Sequence, residues 1–183
     1  MKRYPLLIAT VITSAYLLAG CGQADKQAGH DDHTVHLSNP DSSGAGAVPL
    51  KAGQVQLPNG DLQEKTASAD QLPAFLKGQP DRMVKAYQAA AKNTDLLRYI
   101  PCYCGCGESA GHGSNQNCFV KEVAADGSVV WDDHGTRCGV CVTIAETAVK
   151  MKQDGKPAKE IRAAIDKAYG KGFAPPTKTP LPS

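Results

Sequence analysis

Arg137-Cys138-Gly139-Val140-Cys141-Val142-Thr143-Ile144-Ala145-Glu146-Thr147-Ala148-Val149-Lys150-Met151-Lys152-Gln153 is the stretch on which the reading of the fold turns. Val140, Cys141, Ile144, Ala148 and Met151 recur at the steps that line one face of a helix. Asp154-Gly155 stops that helix. Pro157 opens another to Tyr169, with Ile161, Ala164, Ile165 and Ala168 on one face and Gly170 as its end. Upstream, Asp70 suits the cap of a short helix carrying Leu72, Phe75 and Leu76, stopped at Gly78. Pro80 suits the first turn of a helix to about Lys92, with Met83, Val84, Tyr87 and Ala91 together. Cys118-Phe119-Val120 and Val129-Val130-Trp131 are β-prone and flank Asp126-Gly127, a hairpin signal; Trp131 is expected in the core. The expectation is a mainly α fold: a small helical domain with one β-hairpin, cross-linked by a cysteine cluster.

Six of the seven cysteines fall between Cys102 and Cys141. Cysteines that merely fill a core would not bunch in this way, so they form a disulfide framework or a metal or redox site. Cys102, Cys104 and Cys106 alternate in Pro101-Cys102-Tyr103-Cys104-Gly105-Cys106-Gly107. Close alternation makes them awkward to bridge with one another, so each is expected to find its partner elsewhere. Cys138 and Cys141 have the two-residue spacing that lets both sulfurs reach one ion or each other, at a helix start whose exposed amides favour thiolate. Cys118 is the sixth sulfur. His134, four residues before Cys138, and His112 are candidate imidazole ligands.

The N-terminus sets the compartment. Lys2 and Arg3 precede an apolar run from Leu6 to Leu18, and Leu18-Ala19-Gly20-Cys21 follows the pattern of a lipoprotein signal. Cleavage before Cys21 and lipidation of that residue are expected, which places the chain outside the cytoplasm on a membrane anchor, where disulfides are permitted. The boundaries read as residues 1–20 signal peptide, 21–66 lipidated flexible tether, 67–172 cysteine-rich helical domain and 173–183 proline-rich disordered tail. The tether carries His30, His33 and His36, which read as a solvated His-rich linker or a weak metal-capturing cluster. The chain holds 20 Lys and Arg against 18 Asp and Glu, and Lys2 and Arg3 leave with the signal, so the mature surface is balanced. That excludes a nucleic-acid partner, which needs a clustered basic excess.

Tyr99-Ile100-Pro101-Cys102-Tyr103-Cys104-Gly105-Cys106-Gly107 resembles the signature of the bacterial PCYCGC-motif lipoproteins. Gly111-His112, Asn117-Cys118-Phe119, Trp131-Asp132-Asp133-His134-Gly135 and Cys138-Gly139-Val140-Cys141 extend the likeness over about residues 70–170. It carries little about function. Cys138-x-x-Cys141 before a helix, followed by Gly155, Glu160-Ile161-Arg162, Ile165 and Tyr169-Gly170, is similar over a short stretch to the CcmH-type thiol proteins of cytochrome c maturation.

The leading expectation is a soft-metal binding module for copper or zinc, acting in sequestration or in delivery to an extracytoplasmic protein partner. Its ligands would be Cys102, Cys104, Cys106, Cys138 and Cys141, with Cys118 and His134 as supplements. The alternatives are thiol–disulfide exchange of the CcmH-like type and a purely structural disulfide-stabilised interaction module. In the exchange reading Cys138 attacks and Cys141 resolves. No nucleophile–base pair or phosphate loop stands out, which leans against an enzyme of the hydrolytic kind.

Overall fold

A computed structural model describes residues 49–183. The stretch read as a signal peptide, the expected lipidation site Cys21, and His30, His33 and His36 lie outside the described residues. Four strands, β1 (Gln54–Gln56), β2 (Leu62–Thr66), β3 (Val120–Val123) and β4 (Val129–Asp132), form one antiparallel sheet in the order β1-β2-β4-β3. Its helical partners are α1 (Asp81–Ala91), α2 (Thr94–Leu97), α3 (Gly107–Ala110), α4 (Gly139–Gln153) and α5 (Ala158–Tyr169). Short 3-10 turns occupy Ala74–Leu76, Asn115–Cys118 and Asp133–Arg137. Among the described residues no helix is long and apolar enough to cross a membrane.

The expected mainly α domain with a single hairpin is therefore corrected to a mixed α/β fold built on a four-stranded antiparallel sheet. The β3–β4 hairpin forms around Asp126-Gly127 as its sequence indicates, with Gly127 at φ 84° and Ser128 N–H donating to Asp126. The additional strands lie inside the stretch read as tether. β2 is an interior strand whose buried positions, Glu64 and Thr66, are polar. Glu64 accepts from Ala74 N–H and from Gln54 Nε2, both at 2.7 Å, and Thr66 Oγ1 accepts from Trp131 Nε1 at 2.8 Å. Hydrogen bonding, in place of apolar alternation, covers the cost of burying those side chains.

The core lies between the sheet and the helices. Tyr87 of α1, fully buried, meets Phe119 edge-on at 5.1 Å and donates its hydroxyl to the Asp132 carbonyl at 2.7 Å. Trp131 is fully buried, as expected. α4 buries Cys141, Ile144, Ala145 and Ala148, and α5 adds Ile161 and Ile165; of the stripes read from the sequence, Val140, Met151 and Ala164 are half-buried and Ala168 is exposed.

The tail is the second departure. Residues 173–183, expected to be extended, exposed and disordered, are largely exposed, yet hydrogen bonds tie several of them to the rest of the fold. Ala174 N–H donates to the Tyr103 carbonyl, Cys102 and Thr177 exchange two hydrogen bonds at 2.9 and 3.1 Å, and Arg162 reaches Thr179 at 2.6 Å. Proline sets an extended backbone, and an extended backbone can pair with another segment as well as with water.

Candidate metal centre

Three segments far apart in sequence deliver the sulfurs. Cys102, Cys104 and Cys106 come from the loop that links α2 to α3, Cys118 from the turn before β3, and Cys138 and Cys141 from the first turn of α4. Cys102, Cys118 and Cys141 are buried, while Cys138 is half-buried. The Sγ atom of Cys102 lies 2.9 Å from that of Cys104, 3.6 Å from Cys106, 3.8 Å from Cys118 and 3.2 Å from Cys141. Cys141 is also 3.0 Å from Cys118 and 3.7 Å from Cys104. Cys104 and Cys106 are bonded to each other as a disulfide. This corrects the expectation that alternating cysteines must pair elsewhere. Gly105 adopts φ 82°, a left-handed turn closed to most side chains, and turns the two flanking sulfurs toward one another.

Cys102 acts as the acceptor of the cluster. Hydrogen bonding with Cys118 and Cys141 pulls its thiol down to about 3, and the shared contacts push the thiols of Cys118 and Cys141 up. Cys138 is lowered to about 6, chiefly by hydrogen bonding with Cys141.

Two imidazoles border the sulfurs. His112, buried, sets Nδ1 3.5 Å from Cys118 Sγ, and burial drives its pKa below the usual value. Its ring packs edge-on against His134 at 4.7 Å. His134 Nδ1 lies 3.0 Å from Asp61 Oδ1, and Asp61, at 2% exposure, also accepts from Arg137. Asp132, at 1% exposure, caps the turn by accepting from His134 N–H. The donor atoms fall into overlapping groups within 4.8 Å, among them Cys102/Cys104/Cys106/Cys141, Cys104/His134/Cys138 and Cys106/His112/His134. Asn115 ties the turn to α4 by donating to the Cys141 carbonyl at 3.1 Å. A cavity of about 580 Å³ opens beside the cluster, lined in part by Cys102, Gly107, His112 and Thr177.

All six sulfurs and His134 expected at the site meet there. Asp61 and Asp132, which hold the histidines, escaped the sequence reading. Asp61 ends a Leu57-Pro58-Asn59-Gly60 turn, and that Asn-Gly pair is a hairpin signal from which β1, β2 and hence Asp61 could have been placed.

The fold and this site define a cysteine-rich α/β domain with a sulfur–imidazole cluster at its centre. The chain belongs to the family described as protein of unknown function with PCYCGC motif, whose pattern matches residues 10–182. No curated protein and no solved structure gives a match. A likeness to CcmH-type thiol proteins is not shown by these comparisons.

Proposed function

We propose that this chain is an extracytoplasmic lipoprotein, anchored through Cys21, whose cysteine cluster binds copper or zinc for sequestration or for delivery to a protein partner. The observation that carries this reading is the convergence of sulfurs on one another. In a scaffold of three disulfides each sulfur has one partner, but Cys102 contacts four others and Cys141 contacts three. The longer separations, 3.6 to 3.8 Å, approach the edge of a tetrahedron around an ion with metal–sulfur bonds of about 2.3 Å, an edge of roughly 3.8 Å. The donor set is soft, sulfur with flanking imidazole, which selects Cu(I) or Zn(II) over magnesium or calcium. Cys104 and Cys106 contribute as thiolates, so the metal-bearing and disulfide-bonded forms are alternative states of the same sulfurs.

The test is metal content by mass spectrometry on untagged protein, together with a count of free thiols after denaturation. Bound copper or zinc with thiols released on chelation is the expected result. Metal-free protein without titratable thiols leaves only the structural disulfide module.

A second reading, thiol–disulfide exchange, draws on the half-exposed Cys138 thiol, lowered to about 6, beside buried Cys141 at the start of α4. The same measurements separate the two. Exchange predicts a readily reducible Cys138–Cys141 disulfide without metal, whereas the metal reading predicts thiols shielded from alkylation only while loaded.

A further inference from the structure

We propose that the cluster has two metal positions, an inner and an outer one, joined by a bridging Cys104 thiolate, and that Asp61 positions the imidazole of the outer one. This rests on the metal-binding reading above. Six sulfurs and two imidazoles exceed what one tetrahedral ion accepts, since such an ion takes four donors. The donors also fall into groups that overlap only in part. Cys102, Cys104, Cys106 and Cys141 are mutually within 4.8 Å, and so are Cys104, His134 and Cys138. Cys104 is common to both groups. The first group reaches inward to the buried Cys102 and Cys141, and the second is half-buried throughout.

The outer position has the support that a metal-bound histidine requires. A ligating imidazole usually donates its other N–H to a carboxylate, which fixes the tautomer and the ring. His134 Nδ1 lies 3.0 Å from Asp61 Oδ1, a contact that favours the tautomer with its proton on Nδ1 and Nε2 open to an ion. Asp61 is itself fixed by Asn59 at 2.7 Å and by Arg137. Three protein donors leave a fourth place on the outer ion for water or an incoming ligand, the arrangement of an exchangeable site. The inner position, with four sulfurs, is closed. Metal would therefore enter and leave through the outer one.

Cys104 bridges only as a thiolate, so loading begins with reduced protein. A phosphine donates an electron pair to the Cys104–Cys106 bond and leaves as its oxide with the oxygen of one water. The two protons of that water go to the two sulfurs.

The experiment titrates Zn2+ into the reduced full-length chain and counts bound ions by native mass spectrometry. Wild type should bind two. Cys138→Ser and His134→Gln should bind one. Asp61→Asn should still bind two at saturation, with the second step weakened 10- to 100-fold and the first unmoved, a split that general destabilisation would not produce. Circular dichroism of each metal-free variant checks that it folds, and the half-exposed Cys138 makes its serine variant the mildest of the three. One ion in wild type and in Cys138→Ser alike overturns the two-position proposal and leaves metal binding standing. No ion in wild type overturns the metal reading itself.

Discussion

Gly135 sits buried in the turn that carries His134, against the segment that carries Cys118. A Cβ placed on it would lie 2.8 Å from the Cys118 carbonyl oxygen and 2.8 Å from the Phe119 ring. Neither can yield, because the carbonyl is backbone and the ring is fully buried against Tyr87. Gly135→Ala should cost about 1–3 kcal/mol by overpacking. Urea unfolding of the metal-free chain measures it, and a midpoint unchanged from wild type would show that the contact relaxes freely. At this scale the sulfurs were legible in the sequence, because their spacing is unusual at any position in a chain. The carboxylates were not. Asp61 and His134 are 73 residues apart, and no local pattern joins them. The left-handed turn at Gly105 was likewise hidden, since a glycine between two cysteines is compatible with divergent sulfurs as well as convergent ones.

Elements whose burial follows a simple period were readable, and those held by polar contacts were not. α4 and α5 present apolar residues at helical steps and lie where the sequence puts them. Leu62-Gln63-Glu64-Lys65-Thr66 shows no such alternation, yet β2 pairs on both edges, with β1 and with β4. Its inward face is satisfied by specific donors, which only the folded chain supplies. Glu64 is the clearest case, since one carboxylate binds the Ala74 amide and the Gln54 side chain and so holds β2, β1 and the first 3-10 turn together. Glu64→Ala strands the Ala74 N–H and should destabilise the fold by about 1–3 kcal/mol. Glu64→Gln retains an acceptor for that amide and should cost less. Equal losses for the two in a denaturant series would mean that the charge, and not the hydrogen bond, keeps Glu64 in place. The C-terminal segment teaches the same lesson, because its anchors are Cys102, Tyr103 and Arg162, none of them near it in sequence.

Across the whole molecule, the cluster joins the loop after α2, the turn before β3 and the start of α4, with Cys102 and Cys141 separated by 39 residues. Closing such distances costs chain entropy, which an ion holding the three segments together would offset. An ion that binds only the folded chain stabilises it by mass action, about 2.7 kcal/mol at a free concentration 100-fold above its dissociation constant. For a domain of this size that corresponds to an upward shift of several degrees in the melting midpoint, roughly 2–8 °C per kcal/mol. Reduced protein should therefore melt higher with Zn2+ present and return to its starting midpoint when a chelator removes the ion. Cys102→Ser removes the sulfur that contacts four others, so its midpoint should start lower and respond little to either addition. If wild type melts at one temperature with zinc, with Cu(I) and with chelator, the sulfurs gather for packing alone. The cysteine-rich centre would then be a product of the fold and not one of its supports.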